Sequence, residues 1–219
     1  MHIQSARTQP AVAAEPMALL SHFRPGISLI VLFTLLTGVA FPLAFVGLGH
    51  MVLPFQSGGS LIVQDGKIVG SSLIGQAFTS ARYFHGRPSS LMGADPKDAS
   101  KQVPTPYDAS ESGASNLSAT SKALLDRVTG EVKTLGAANT VPADAVTTSA
   151  SGLDPDISPA NAGLQIARVA AARKMNPADV ATLVAAHTDR QLFGFIGESR
   201  VNVLALNLAL DAGLDHHTQ

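Results

Sequence analysis

The chain has 219 residues and a net charge of −1, from 15 Lys and Arg against 16 Asp and Glu, with no Trp and two Tyr. With no basic face and few rings for bases to stack on, the composition argues against nucleic-acid binding. The absence of Cys excludes disulfides, thiolate catalysis and Cys-ligated zinc, so a folded domain here is held by its core alone. Charged residues are only 14% and mean hydropathy is +0.23, and part of that excess is local: Pro25 to Gln64 contain no Asp, Glu, Lys or Arg.

Residues 1–24 read as a cytoplasmic tail, with Met1 to Ser21 mixing Pro, Ala and polar residues without period. The run Ile27–Leu48 is apolar on every face. At about 1.5 Å per residue it spans the roughly 30 Å hydrocarbon core of a bilayer, and residues 25–55 are expected to form a transmembrane helix with a juxtamembrane segment. It is too long for a cleaved signal peptide, and the chain beyond Leu48 stays apolar. Pro42 inside the run is expected to kink the helix and to leave the carbonyl of Gly38 without its amide partner. Ala40, Ala44 and Gly47 fall on one face, where small side chains admit a second helix. Arg7 and Arg24 precede the helix and no Lys or Arg follows until Lys67, so the positive-inside rule puts the N-terminus in the cytoplasm and the remainder outside.

Residues 56–219 are expected to form one extracytoplasmic domain. It opens with a hairpin, Ser60–Val63 and Lys67–Val69 joined at Asp65-Gly66, since Gly supplies the positive φ of a tight turn. Thr79 to Ser115 is rich in Ser, Pro, Asp and Gly and reads as a long loop, functional or docked on a partner. Leu124, Leu125, Val128, Val132 and Leu135 mark a helix ended by Gly136. Val141–Ser149 reads as a strand. Ser158-Pro159 and Asn176-Pro177 each start a helix, with a capping side chain before a Pro at the first helical position. Leu192–Ile196 is a short apolar run, and Val201 to Leu210 a last helix. The fold class is α+β, one N-terminal transmembrane helix followed by a single mixed domain.

Catalytic signatures are missing. Gly66-Lys67 is followed by Ile68, so no phosphate loop is formed; there is no His-Glu-x-x-His, no Ser-x-x-Lys and no Gly-x-Ser-x-Gly. No Asp-Lys-Thr-Gly-Thr sequence is present, so the chain is not itself the phosphorylated subunit of an ion pump. His216 and His217 read as a frayed terminus rather than a metal site. Asp154 and Asp156 either cap the helix after them or bind a cation, and Arg82 and Arg87 around Tyr83-Phe84-His85 either meet phosphate or a partner or flank a half-exposed aromatic edge.

Several longer motifs, in order, carry a resemblance. They are Phe23-Arg24-Pro25, Ser72-Leu-Ile-Gly-Gln76, Tyr83-Phe84-His85-Gly86-Arg87-Pro88-Ser89, Tyr107-Asp108, Ser112-Gly113-Ala114-Ser115-Asn116-Leu117, Val146 through Ser158, and Arg200 through Leu208. The chain resembles the C subunit of the bacterial potassium-transporting ATPase, the Kdp complex. The resemblance implies a non-catalytic subunit of a high-affinity potassium uptake system in the bacterial inner membrane, with no cofactor of its own. Its partners would be the pore-forming and ATP-hydrolysing subunits, and potassium the transported ion. The family's C subunit is described as stabilising the complex, as a catalytic chaperone that raises the ATP affinity of the ATPase subunit. Its Ser-Gly segments have been likened to the signature of ABC ATPases, which assigns ATP to Ser149, Ser151 and Gly152; the topology points the other way, because ATP is cytoplasmic. Gly38, Ala40, Pro42, Ala44 and Gly47 in the membrane, and Tyr83, Phe84 and Arg87 in the domain, are the expected assembly residues. A membrane-anchored periplasmic enzyme and a purely structural anchor are the rival readings.

Overall fold

The computed structural model describes residues 17–136 and 140–215, so Arg7 and the His216-His217 pair lie outside the described residues. The chain divides between Gly58 and Gly59 into two compact units.

The first unit is a helix far longer than the apolar run alone. Helix α1 (Met17–Leu35) passes through a π turn (Leu36–Ala40) into α2 (Phe41–Val52), and a short α3 (Pro54–Ser57) follows. Within the 30 residues Phe23–Val52 an 18-residue window reaches a mean hydropathy of 2.5, none of it buried, and the helix is long and apolar enough to cross a membrane. At about 1.5 Å per residue it measures roughly 45 Å, more than a hydrocarbon core requires. α1 begins at Met17, eight residues before the expected segment 25–55, and carries Pro25 in its interior. Pro42 is met by the π turn: Phe41 N donates to Leu36 O, five residues back. Widening the turn moves backbone away from a proline ring that would otherwise strike the carbonyl four residues earlier. The small residues Ala40, Ala44 and Gly47 are exposed, and beyond the helix's own backbone and the adjoining residues no atom lies within 4 Å of where a Cβ on Gly47 would sit.

The second unit is a mixed α+β domain. β1 (Leu61–Gln64) and β2 (Lys67–Ser71) form the expected hairpin, with Asp65 at φ 51° and Gly66 at φ 73° in its turn. Its inner face is tight: a Cβ on Gly70 would lie 2.6 Å from Leu204 Cδ2. The segment read as a long loop contains a second hairpin, β3 (Met92–Asp95) with β4 (Asp98–Pro104). Its strands have few β-branched residues, so the usual strand signal is missing. α4 (Lys122–Leu135) ends at Gly136, left-handed with φ 59°, but its apolar stripe is only half covered and Leu125 points into solvent.

Val141–Ser149 is not a strand. Pro142 caps a single helical turn, α5 (Ala143–Val146), whose Ala-Asp-Ala sequence outweighs the Val and Thr around it. Then come β5 (Asp156–Ile157), α6 (Pro159–Arg173), α7 (Pro177–Ala186), β6 (Thr188–Asp189), β7 (Arg200–Asn202) and α8 (Val203–Asp215). The three short strands form a sheet in the order β5-β7-β6, antiparallel throughout. Ser158 Oγ accepts from Asn161 N and Asn176 accepts from Ala178 N, so both Pro-started helices are capped. The short apolar run Leu192–Ile196 is a closed turn between β6 and β7. The core gathers α6, α7 and α8 against the sheet: Val169, Val180, Val201, Leu206 and Leu210 have no exposed surface.

Candidate functional site

The irregular segment from Ala81 to Ser89 runs through the domain without strand partners, and side chains satisfy much of its polar backbone. Asn207, 1% exposed on α8, accepts from Phe84 N at 2.8 Å and donates to Phe84 O at 3.0 Å. Gln165 on α6 does the same for the next residue, accepting from His85 N at 2.8 Å and donating to His85 O at 3.0 Å. Two carboxamides on different helices thus replace a β-ladder, each satisfying one donor and one acceptor that would cost about 1–3 kcal/mol if buried unpaired. Phe84 itself is 0% exposed, so it belongs to the core and not to a half-exposed aromatic edge.

Guanidinium groups secure the rest of the segment. Arg168 Nη1 donates to the carbonyls of Ala81 (2.8 Å) and Tyr83 (3.0 Å), and Nη2 to Gln165 Oε1 (2.6 Å). Arg173, with its side chain fully buried, donates to Arg82 O (2.6 Å), Leu210 O (3.2 Å) and Asp211 Oδ1 (2.8 Å). It also lies 4.9 Å from the Tyr83 ring centroid, and the Tyr83 hydroxyl donates to the other Asp211 oxygen at 3.0 Å. Arg87 Nη1 pairs with Asp154 Oδ2 at 2.9 Å, and the Tyr107 hydroxyl donates to Arg87 O at 2.7 Å. Burial, with the charge of Asp154 adding and that of Arg87 opposing, pushes the Tyr107 hydroxyl up to about 12. Burial also lowers the pKa of His85; the Ser80 carbonyl that its ring contacts works against this, and the charge of Arg168 adds to it. Arg82, by contrast, is exposed.

The structure brings Ser149, Ser151 and Gly152 into one turn, and that turn consumes them. Ser149 Oγ accepts from Gly152 N (2.8 Å), Ser151 Oγ accepts from Leu153 N (3.1 Å), and Gly152 O accepts from Ser89 Oγ (2.9 Å). Gly152 sits at φ 71°, and a Cβ there would lie 2.6 Å from Leu91 Cγ. A phosphate site needs free backbone N–H groups pointing at open space. Here the amides of Gly152 and Leu153 are engaged and a leucine fills the space, so these residues do not fit ATP.

Asp154 and Asp156 are occupied as well. Asp154 Oδ1 accepts from Asp156 N, while Asp156 accepts from Asn202 Nδ2 at 3.1 Å and meets Arg200 Nε at 3.2 Å. Neither caps α6. Ser158 does that, oriented by Asp144, which accepts from Ser158 N, Ser158 Oγ and Asn161 Nδ2. Among the described residues, no group of three or more His, Cys, Asp or Glu is placed to hold a metal ion.

Sequence reasoning missed Asn207, Gln165, Arg173 and Asp144. For Asn207 the signal is a polar side chain inside an apolar helical stripe, where it interrupts Leu204, Leu206, Leu208 and Leu210.

Comparison with known proteins spans both units. The family profile described as "KdpC: K+-transporting ATPase, c chain" matches residues 23–212. A potassium-transporting ATPase KdpC subunit of Rhodopseudomonas palustris (strain BisB18) is 55% identical over 197 residues, covering 89% of this chain and 99% of its own length. The KdpC subunit of Methylobacterium nodulans is 55% identical over 196 residues (88% and 98%), and that of Bradyrhizobium diazoefficiens 54% over 196 residues (88% and 98%).

Proposed function

Since the chain belongs to the KdpC family, the c chain of K+-transporting ATPases, we propose that it is the non-catalytic accessory subunit of an ATP-driven potassium uptake complex. Its partners in this reading are the pore-forming and ATP-hydrolysing subunits, and potassium is the ion the complex moves. The observation that carries the reading is the extent of the match, which takes in the apolar helix and nearly the whole domain. In support, the polar groups inside the domain serve its own backbone: Asn207, Gln165, Arg168 and Arg173 are engaged in holding the Ala81–Ser89 segment.

The helix crosses the bacterial inner membrane once, with residues 1–24 in the cytoplasm and the domain from residue 56 onward in the periplasm. Arg7 and Arg24 on one flank and none on the other until Lys67 support that orientation. Gly38, Ala40, Pro42, Ala44 and Gly47 lie toward partner helices, while Tyr83, Phe84 and Arg87 contribute by fixing the shape of the domain. A chaperone-like effect on the nucleotide affinity of the ATP-hydrolysing subunit is then exerted through assembly, without ATP bound at Ser149, Ser151 or Gly152.

Single cysteines test the orientation, and the chain has no native Cys to confuse the result. On intact spheroplasts, a membrane-impermeant thiol reagent is expected to label Ser57→Cys and to spare Ser5→Cys. The opposite pattern would reverse the topology.

A further inference from the structure

Helices α4 and α6 both line an open cavity of about 630 Å³ in the domain. Protein interiors are close-packed, and a space of this size falls within the roughly 300–1,000 Å³ of small-molecule sites. The apolar part of its wall comes from separate elements: Leu135 of α4, Ala145 of α5, Leu164 of α6, and Pro88. Leu135 is 45% exposed and Leu164 42%, although both line a concave surface. The uncovered end of the α4 stripe is thus one wall of this cavity, and nothing in the domain fills the space beside it.

The charges on the wall select the occupant. Arg168 of α6 and Glu131 of α4 both line the cavity, and among the described residues neither forms an ion pair. Arg168 donates through Nη1 to the carbonyls of Ala81 and Tyr83 and through Nη2 to Gln165 Oε1, which are all uncharged acceptors. Its Nε has no hydrogen-bond partner among the described residues. Burial lowers the pKa of Arg168, so an anion beside it is favourable. His85, the third titratable group on the wall, is held toward its neutral form by burial. The wall therefore presents one positive and one negative charge, on different helices. A simple anion would meet Glu131, a simple cation would meet Arg168, and a nucleotide would set several negative charges against one guanidinium. A molecule that carries one charge of each sign satisfies both groups, and the leucines call for an apolar body between them.

We propose that the cavity lined by α4 and α6 binds a small zwitterion with an apolar body, of the kind of an apolar dipeptide, its carboxylate at Arg168 and its ammonium at Glu131. This goes beyond the subunit reading above and stands without it. Calorimetry of the full-length chain in detergent with leucyl-leucine is expected to show saturable binding. Blocking either terminus, in N-acetyl-leucyl-leucine or in leucyl-leucinamide, is expected to weaken binding by about tenfold or more, since each removes a charged hydrogen bond. Glu131→Gln is expected to leave the melting temperature of the free chain unchanged, because Glu131 forms no ion pair among the described residues. It is expected to weaken leucyl-leucine to the same degree and to leave the N-acetyl compound unaffected. No saturable heat at millimolar leucyl-leucine would overturn the proposal. Equal binding of all three compounds, which marks apolar adsorption only, or undiminished binding by Glu131→Gln would do so too. The three compounds on the unaltered chain decide the question even if Glu131→Gln melts early.

Discussion

Gly152 stands where three requirements meet: a left-handed backbone, an amide held by Ser149 Oγ, and Leu91 filling the place a Cβ would take. Adding a methyl group there combines a left-handed penalty of about 1–2 kcal/mol with overpacking of about 1–3 kcal/mol. Gly152→Ala is therefore expected to lower the stability of the chain by about 2–5 kcal/mol in thermal melts, to the same extent with and without ATP. A loss visible only as weakened ATP binding, with the melt unchanged, would restore the nucleotide assignment. His85 makes a second prediction. Its pKa is depressed below 6.5 in the folded chain, so the neutral ring is favoured by folding and the corresponding stability is complete above that value. It is lost as pH falls below about 6.5 toward the folded value. Melting temperatures between pH 8 and 5.5 are expected to decline through this window, and the decline to be smaller in His85→Gln. An equal decline in both would remove His85 as its source.

At the scale of elements, what could be read from sequence was what is encoded locally. Ser158-Pro159 and Asn176-Pro177 announce α6 and α7 because cap and first-turn proline lie next to each other, and Gly136 stops α4 by its own backbone angle. The strands β5 and β6 are two residues each, shorter than any alternation of polar and apolar residues can signal, and they exist because β7 lies between them. The carboxamide clamps of Gln165 and Asn207 escaped for a related reason: their partners, His85 and Phe84, are 80 and 123 positions away. In the membrane helix the proline was legible and its consequence was not, since a π turn and a kink begin from the same residue. That turn ends at Ala40, where the face of Ala40, Ala44 and Gly47 begins. Without a hydrophobic effect in lipid, close backbone approach across small residues is what draws helices together. Ala40→Leu, Ala44→Leu and Gly47→Leu combined keep the helix apolar while filling that approach. The variant is expected to reach the membrane in normal amount and to lose the pore-forming and ATP-hydrolysing subunits on detergent extraction. Full retention would make the helix a tether only.

For the whole molecule, the two units divide the work in the proposed reading. In that reading, a helix whose apolar span has no buried residue takes its packing from other chains. Within the domain, Asn207, Gln165, Arg168 and Arg173 hold the Ala81–Ser89 segment and Asp144 holds the start of α6, which fixes the surface that a partner would meet in this reading. The membership of the family was legible in motifs such as Tyr83-Phe84-His85-Gly86-Arg87-Pro88, whose role in the fold is to be gripped from both sides. The turn at Leu192–Ile196 reads in sequence only as a short apolar run, and its exposure in the folded domain marks it as a surface. The most direct test of the subunit assignment is the composition of what accompanies this chain out of the membrane. A tag on the full-length chain, mild detergent extraction and mass spectrometry of the intact assembly are expected to yield the pore-forming and ATP-hydrolysing subunits of a potassium-transporting ATPase in fixed ratio to it. Recovery of the chain alone from membranes that contain those subunits would contradict it.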